Sequence, residues 1–301
     1  MAATTIIKLE KLTKTYIMGK KKNARKTQKE LQKLHERYEK AVAKNHSEDA
    51  KRAEIKLDNA QKLFSDEQYE QSYRVLTGKS LKQRAKDRGT VVHALNGINL
   101  DIKEGELVAI MGPSGSGKST LLNMLGLLDQ PSAGRIAIKG QNVASIKKGD
   151  LPELRSRELG FVFQSFNLVP TLTALENVML PLRYAGVGIR RRKQMARTAL
   201  EQVGLGDRMN HSPNELSGGQ RQRVAIARSI VNEPAVIFGD ELTGELDSKM
   251  TADVMKLVAN LNKKGQTFII VTHNPEVAKM CRRIIFMKDG RVEKEISRGK
   301  R

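Results

Sequence analysis

A layered α/β fold built on a largely parallel sheet is what this sequence predicts, and three observations predict it. From residue 90 onward the short apolar runs "LVAIMG", "RIAI", "LGFVFQ", "PAVIFGD", "FIIVTH" and "IIFM" alternate with amphipathic stretches. That is the pattern of strands separated by helices. A glycine-rich segment, "GPSGSGKST", joins the apolar run "ELVAIM" to the helical run "STLLNMLGLL". And the run "VIFGDELTGELDS" passes straight from apolar residues into Asp240 and Glu241. A buried-looking strand that ends on two adjacent carboxylates asks for a reason. No internal repeat of fixed period is present.

Taken in order, residues 1–19 form a strand with turn residues. Residues 20–89 are polar, charged and almost free of Gly and Pro. Within them, Leu31, Leu34, Tyr38 and Ala41 follow 3-4-3 spacing. So do Ala50, Ala53, Leu57, Ala60 and Phe64, with one further step of four. Both sets are helix seams with charged flanks. Ser47 sits between them as an N-cap, with Glu48 and Asp49 in the first turn. The expectation is a protruding basic helical hairpin, coiled-coil-like, inserted into the α/β domain. It carries 20 basic and 11 acidic residues, a net +9, with Lys20, Lys21 and Lys22 at its base.

Charge and cysteine usage narrow the setting. Lys plus Arg is 54 and Asp plus Glu is 33, a formal net charge of +21. Such a balance favours an anionic partner: a nucleotide, a nucleic acid or an acidic membrane surface. The one cysteine, Cys281, cannot form an internal disulfide, which fits a reducing compartment. The stretch "MAATTIIKLEKLTK" has no signal-peptide apolar core. No apolar run reaches the ~18 residues that a membrane-spanning helix needs.

The glycine-rich segment carries the chemistry. Gly112, Pro113, Ser114, Gly115, Ser116, Gly117, Lys118 and Ser119 fit the GxxxxGKS pattern, followed by Thr120. Glycines let backbone N–H groups wrap a phosphate, and the helix that follows adds the positive end of its dipole. In such a loop Lys118 reaches the β- and γ-phosphates and the Ser119 hydroxyl serves Mg²⁺. A second strand of these folds ends beside the loop with a carboxylate for the metal, and Asp240 is the candidate. Glu241 follows where an attacking water could sit, as a general base. A second anion cradle opens the run "LSGGQRQRVAIARSIV", with Ser217, Gly218 and Gly219 before a helix whose apolar positions include Val224, Ala225, Ala227 and Ile230. Two cradles in one chain need two phosphates or two chains.

The stretches "TYIMG", "GPSGSGKST", "FVFQSFNLVP", "LSGGQRQR", "VIFGDE", "ELD" and "VTHNPE", in this order, resemble the ATP-binding cassette (ABC) ATPases. The wording from "VHALNGINL" to "LENVMLPL" is most similar to the MacB/LolD-like branch. The resemblance covers residues 1–19 and about 90–301. It implies a nucleotide-binding domain with a P-loop core sheet, an antiparallel β subdomain and an α-helical signature subdomain. It implies ATP and Mg²⁺, with Tyr16 stacking on adenine. Gln164 would sense Mg²⁺ and the attacking water, and His273 would contact the γ-phosphate. Ser217, Gly218, Gly219 and Gln220 would bind ATP held by a second subunit, and Asp247 would lie in the loop facing that subunit. The implied assembly is a head-to-tail homodimer on a transmembrane permease, peripheral on the cytoplasmic side of the plasma membrane. It would power an exporter or a lipoprotein, lipid or peptide extractor. An FtsE-like regulatory ATPase remains an alternative, as does a nucleic-acid-associated ABC ATPase. Against the last, DNA-repair types place their coiled coil between the P-loop and LSGGQ, whereas this insert precedes the P-loop. The insert's paired seams and net +9 point to docking on an acidic surface: the permease, the anionic inner leaflet or, third, RNA.

Three positions depart from the family pattern. Leu242 replaces the usual proline after Asp-Glu, Glu245 replaces a commoner Asn or small residue, and Asn274 replaces the common Asp after His273. None removes an assigned catalytic group. Loss of the fixed φ of proline at Leu242 predicts a looser turn behind Glu241.

Overall fold

The computed structural model describes residues 4–18 and 90–298. The expected hairpin of residues 20–89 lies outside the described residues.

Two sheets organise the described chain. Strands β1 (Thr5–Met18), β2 (Thr90–Lys103), β4 (Ala133–Ile138) and β5 (Gln141–Asn142) form an antiparallel sheet in the order β2-β1-β4-β5. Six strands form the second: β3 (Leu107–Met111), β6 (Leu159–Phe163), β7 (Val236–Asp240), β8 (Thr267–Val271), β9 (Arg283–Lys288) and β10 (Arg291–Ser297). Their order is β10-β9-β3-β8-β7-β6. Every pairing there is parallel except β9 with β10. Each expected apolar run is a strand. "RIAI", however, sits in the antiparallel sheet as part of β4 and not in the parallel one.

The near-continuous apolar runs follow from burial on both faces of the parallel sheet. Side chains alternate across a strand. Leu107, Ala109, Ile237, Phe268 and Ile270 face one core. Val108, Ile110, Val236, Phe238, Ile269 and Val271 face the other. The second core is closed by the antiparallel sheet and by α1 (Lys118–Leu125). The first is closed by α3 (Ala174–Tyr184), α4 (Ile189–Gln202), α5 (Gly218–Ile230) and α6 (Ser248–Lys263). Two short helices, α2 (Leu151–Glu158) and α7 (Pro275–Lys279), complete the described set. Val254, Met255, Val258 and Leu261 give α6 its buried stripe at helical spacing. Truncating a fully buried side chain such as Phe238 to alanine would cost about 3–5 kcal/mol.

Candidate nucleotide site

Register places the candidate side chains together. Ile110 pairs with Val271, Asp240 with Val271, and Phe163 with Asp240. The residues just beyond these pairs are Gly112, Thr272 and His273, Glu241, and Gln164. All leave the carboxyl ends of adjacent parallel strands, where α/β sheets bind their ligands.

The loop between β3 and α1 is shaped for an anion. Gly117, the N-cap of α1, has φ +96, and a Cβ there would lie 2.4 Å from the Ala94 carbonyl oxygen. A Cβ on Gly112 would lie 2.2 Å from the Met287 carbonyl oxygen and 2.7 Å from Ser116 Oγ. Any larger residue would push the loop off its seat on β9. The first turn of α1 carries no side-chain cap and no acidic residue. Its unpaired N–H groups and dipole therefore favour a negative ligand. Ser116 Oγ is buried without a hydrogen-bond partner, which marks a polar atom shaped for something the protein does not supply. Lys118 Nζ donates to the carbonyls of Gly112 at 2.9 Å and Pro113 at 2.8 Å. The ammonium is thus held at the mouth of the loop. Ser114, Gly115 and Ser119 are exposed there, and Thr120 is half-buried.

Asp240 is half-buried. Burial, and then the adjacent Glu241, push its carboxyl above the usual range, while Lys118 pulls the other way. A cation beside it would relieve both costs. Glu241 takes a left-handed backbone, φ +49. Its N–H donates to the Val271 carbonyl at 2.9 Å, and its own carbonyl accepts from Gly244 N–H at 3.0 Å. Its carboxylate lies 2.8 Å from His273 Nδ1. Gln164 reaches the same turn, for a Cβ on Gly244 would lie 2.8 Å from Gln164 Nε2. The hydroxyl of Ser119, the amide of Gln164 and the carboxylate of Asp240 are hard-oxygen donors of the kind that would suit Mg²⁺ beside phosphate and water oxygens. Among the described residues no group of three or more His, Cys, Asp or Glu could hold a metal ion.

Tyr16 is half-buried on β1. Its hydroxyl donates to Asp129 Oδ2 at 3.0 Å, and burial together with Asp129 pushes its pKa up to about 12. The Lys14 ammonium lies 2.8 Å from the same carboxylate and 5.0 Å from the centre of the Tyr16 ring. Sequence reasoning missed Lys14 and Asp129; nothing in the sequence pairs residues so far apart.

The second cradle opens α5. Ser217 Oγ accepts from Gln220 N–H at 3.3 Å, and Gln220 Oε1 accepts from Ser217 N–H at 2.8 Å, a reciprocal capping box. Gly218 and Gly219 form the first turn; a Cβ on Gly219 would lie 3.4 Å from Met250 of α6. A cavity of about 330 Å³ lies beside them, lined by Ser217, Gly219, Gln220 and Arg223 among others. No residue of the first cradle lines it. Asp247 caps α6, accepting from Met250 N–H at 2.7 Å. Asn274 caps α7, accepting from Glu276 N–H at 2.9 Å, so the substitution keeps a capping oxygen. Arg228 of α5 donates to the Phe166 carbonyl at 2.8 Å, and Arg221 lies 5.3 Å from the Phe166 ring centre. These two arginines, also missed from sequence, tie the segment after Gln164 to the signature helix.

Leu242 corrects the expectation of a loose turn. It is 2 % exposed and belongs to the core that contains Ile237 and Ile270. Its side chain anchors the turn through packing.

Comparison with known proteins agrees with this geometry. The ABC transporter family profile matches residues 95–244. An uncharacterized ABC transporter ATP-binding protein, YknY of Bacillus subtilis, is 52% identical over 198 residues, 66% of this chain and 86% of that protein. The macrolide export ATP-binding/permease protein MacB of Marinobacter nauticus is 52% identical over 199 residues. The match covers 66% of this chain but 31% of that longer protein. Among solved structures, the dimeric post-hydrolysis state of the ATP-binding cassette MJ0796 bound to ADP and Pi has a TM-score of 0.68 at 36% identity. It covers 98% of this chain and 100% of that one. The chain belongs to the ABC transporter family, as an ATP-binding cassette that hydrolyses ATP.

Proposed function

We propose that this chain is the ATPase subunit of a MacB-like exporter or extractor, acting as a dimer that encloses two ATP molecules between opposed cradles. The observation that carries the dimer is that the cavity beside Ser217, Gly219 and Gln220 is lined by no residue of the Gly112–Thr120 loop. The dimeric cassette neighbours at 36% identity support it. The MacB relatives, 48–52% identical over about 200 residues, support the exporter class. A permease partner supplies the membrane path, and the cassette works on its cytoplasmic face. Among the described residues no helix is long and apolar enough to cross a membrane.

In this reading the Gly112–Thr120 loop binds the phosphates and Lys118 neutralises them. Tyr16 stacks on adenine, its ring fixed by Asp129 and Lys14. Asp240, Ser119 and Gln164 would hold Mg²⁺, which would supply charge stabilisation at the phosphoryl oxygens. Glu241 takes a proton from water as that water's oxygen bonds to the γ-phosphorus. The bond to the bridging oxygen breaks, leaving ADP and phosphate. His273 orients Glu241. Ser217 and the N–H groups of Gly218, Gly219 and Gln220 close on the ATP of the opposite protomer, and Asp247 lies in the facing loop.

Light scattering of the Glu241→Gln protein, with and without Mg-ATP, tests the assembly. A nucleotide-dependent doubling of mass is expected, and a monomer in both conditions at high protein concentration contradicts it. Residues 20–89 are the accessory segment of this reading. A short Gly-Ser linker in their place should preserve hydrolysis but weaken salt-sensitive binding to anionic vesicles, each basic residue there giving about 1 kcal/mol. Unchanged vesicle binding contradicts that role.

A further inference from the structure

The turn behind Glu241 contains a contact that the assigned roles leave unused. Gly239 lies in β7 on the same sheet face as Ile237, one residue before Asp240. A Cβ built on Gly239 would lie 2.6 Å from Leu242 Cγ, 2.7 Å from Cδ2 and 3.0 Å from Cδ1. Real side chains do not approach that closely. Leu242 is 2 % exposed and packed in the core that contains Ile237, Phe268 and Ile270, so a shift of its side chain must displace that packing. Its isobutyl group therefore fills space that any side chain at position 239 would take.

Glu241 sits between the two. Its left-handed backbone is one that a side-chain-bearing residue keeps only when its surroundings hold it. Two backbone hydrogen bonds hold it from the sides, to Val271 and from Gly244. Leu242, the next residue, is buried in the core.

We infer that Gly239 and Leu242 are a matched pair of positioning residues, a socket and an anchor that aim the Glu241 carboxylate at its water. The inference rests on the reading of Glu241 as general base. It also accounts for the missing proline, since a buried leucine fixes by packing what proline fixes by its ring. Alanine at 239 would drive Leu242 back by roughly 0.8 Å to reach ordinary contact and would carry Glu241 with it. The phosphate loop and Tyr16 lie on other elements, and the Asp240 backbone stays paired in the sheet with Phe163 and Val271, so the effect falls mainly on turnover.

The test uses the full chain and measures kcat, KM for Mg-ATP and melting temperature for Gly239→Ala, Leu242→Ala and the double variant, beside Glu241→Gln. Gly239→Ala should cut kcat by about 10- to 100-fold while KM stays within about threefold, because a sub-ångström to 1 Å misplacement of a catalytic group acts on that scale. The double variant should recover part of that loss, since the smaller side chain at 242 makes room for the new methyl. A purely structural pair would lower the melting temperature without this kcat-to-KM split and without rescue. Wild-type kcat in folded Gly239→Ala, or losses that simply multiply in the double variant, would overturn the pairing. If Gly239→Ala does not accumulate folded, Leu242→Ala against Leu242→Met decides: a kcat loss restored mostly by Met supports the anchor, and wild-type kcat in Leu242→Ala refutes it. Near-normal turnover in Glu241→Gln would instead remove the general-base reading underneath, and the two failures are distinct.

Discussion

His273 Nδ1 lies 2.8 Å from Glu241 Oε1, a hydrogen bond that joins the loop after β8 to the turn after β7. It fixes one carboxylate oxygen and leaves the other to meet a water. The His273 side chain is exposed, so the pair itself adds little stability; its effect is on aim, and a misplacement of about 1 Å in a catalytic group costs on the order of 10²-fold. His273→Ala should therefore lower kcat by roughly 10- to 100-fold with little change in ATP affinity. Steady-state hydrolysis and equilibrium nucleotide binding measure the two sides. Equal losses in both would show that His273 acts on binding and not on the aim of Glu241.

Asp240 yields a prediction about pH. Burial first, then Glu241, raises its carboxyl above the ordinary range. The folded chain therefore holds that proton more tightly than the unfolded chain does. The stabilising effect is complete below the ordinary carboxylate pKa and is lost as pH rises through the raised folded value. Asp240→Asn avoids that loss. In buffer free of nucleotide and metal, its melting temperature at pH 7 should exceed that of the parent, by about 2–4 °C for each kcal/mol gained. The gap should close in acid, and hydrolysis should fall because the metal-side carboxylate is gone. Thermal melts across pH check this, and a gap that widens in acid contradicts it.

Much of the candidate site's placement was legible because it depends on backbone shape and strand ends. The apolar runs of β3, β7 and β8 stop at Gly112, Asp240 and Thr272, and parallel register does the rest. Leu242 misled because a hydrophobic residue in place of proline looks like a lost constraint, while its burial depends on the missing side chain of Gly239 three residues earlier. Lys14 and Asp129 are 115 residues apart in sequence, and only the pairing of β1 with β4, next to Asp129, brings them to Tyr16. "RIAI" gave a strand but no sheet, since four apolar residues carry no partner information.

Hydrolysis by the Glu241→Gln protein tests the central claim most directly. The variant is isosteric, so it removes the proton acceptor and its negative charge while leaving the side chain's shape. General-base loss costs about 10²–10⁴ in rate. A single-turnover measurement with saturating Mg-ATP should show that slowing while nucleotide binding is retained. Turnover within a few-fold of the parent would contradict Glu241 as the base.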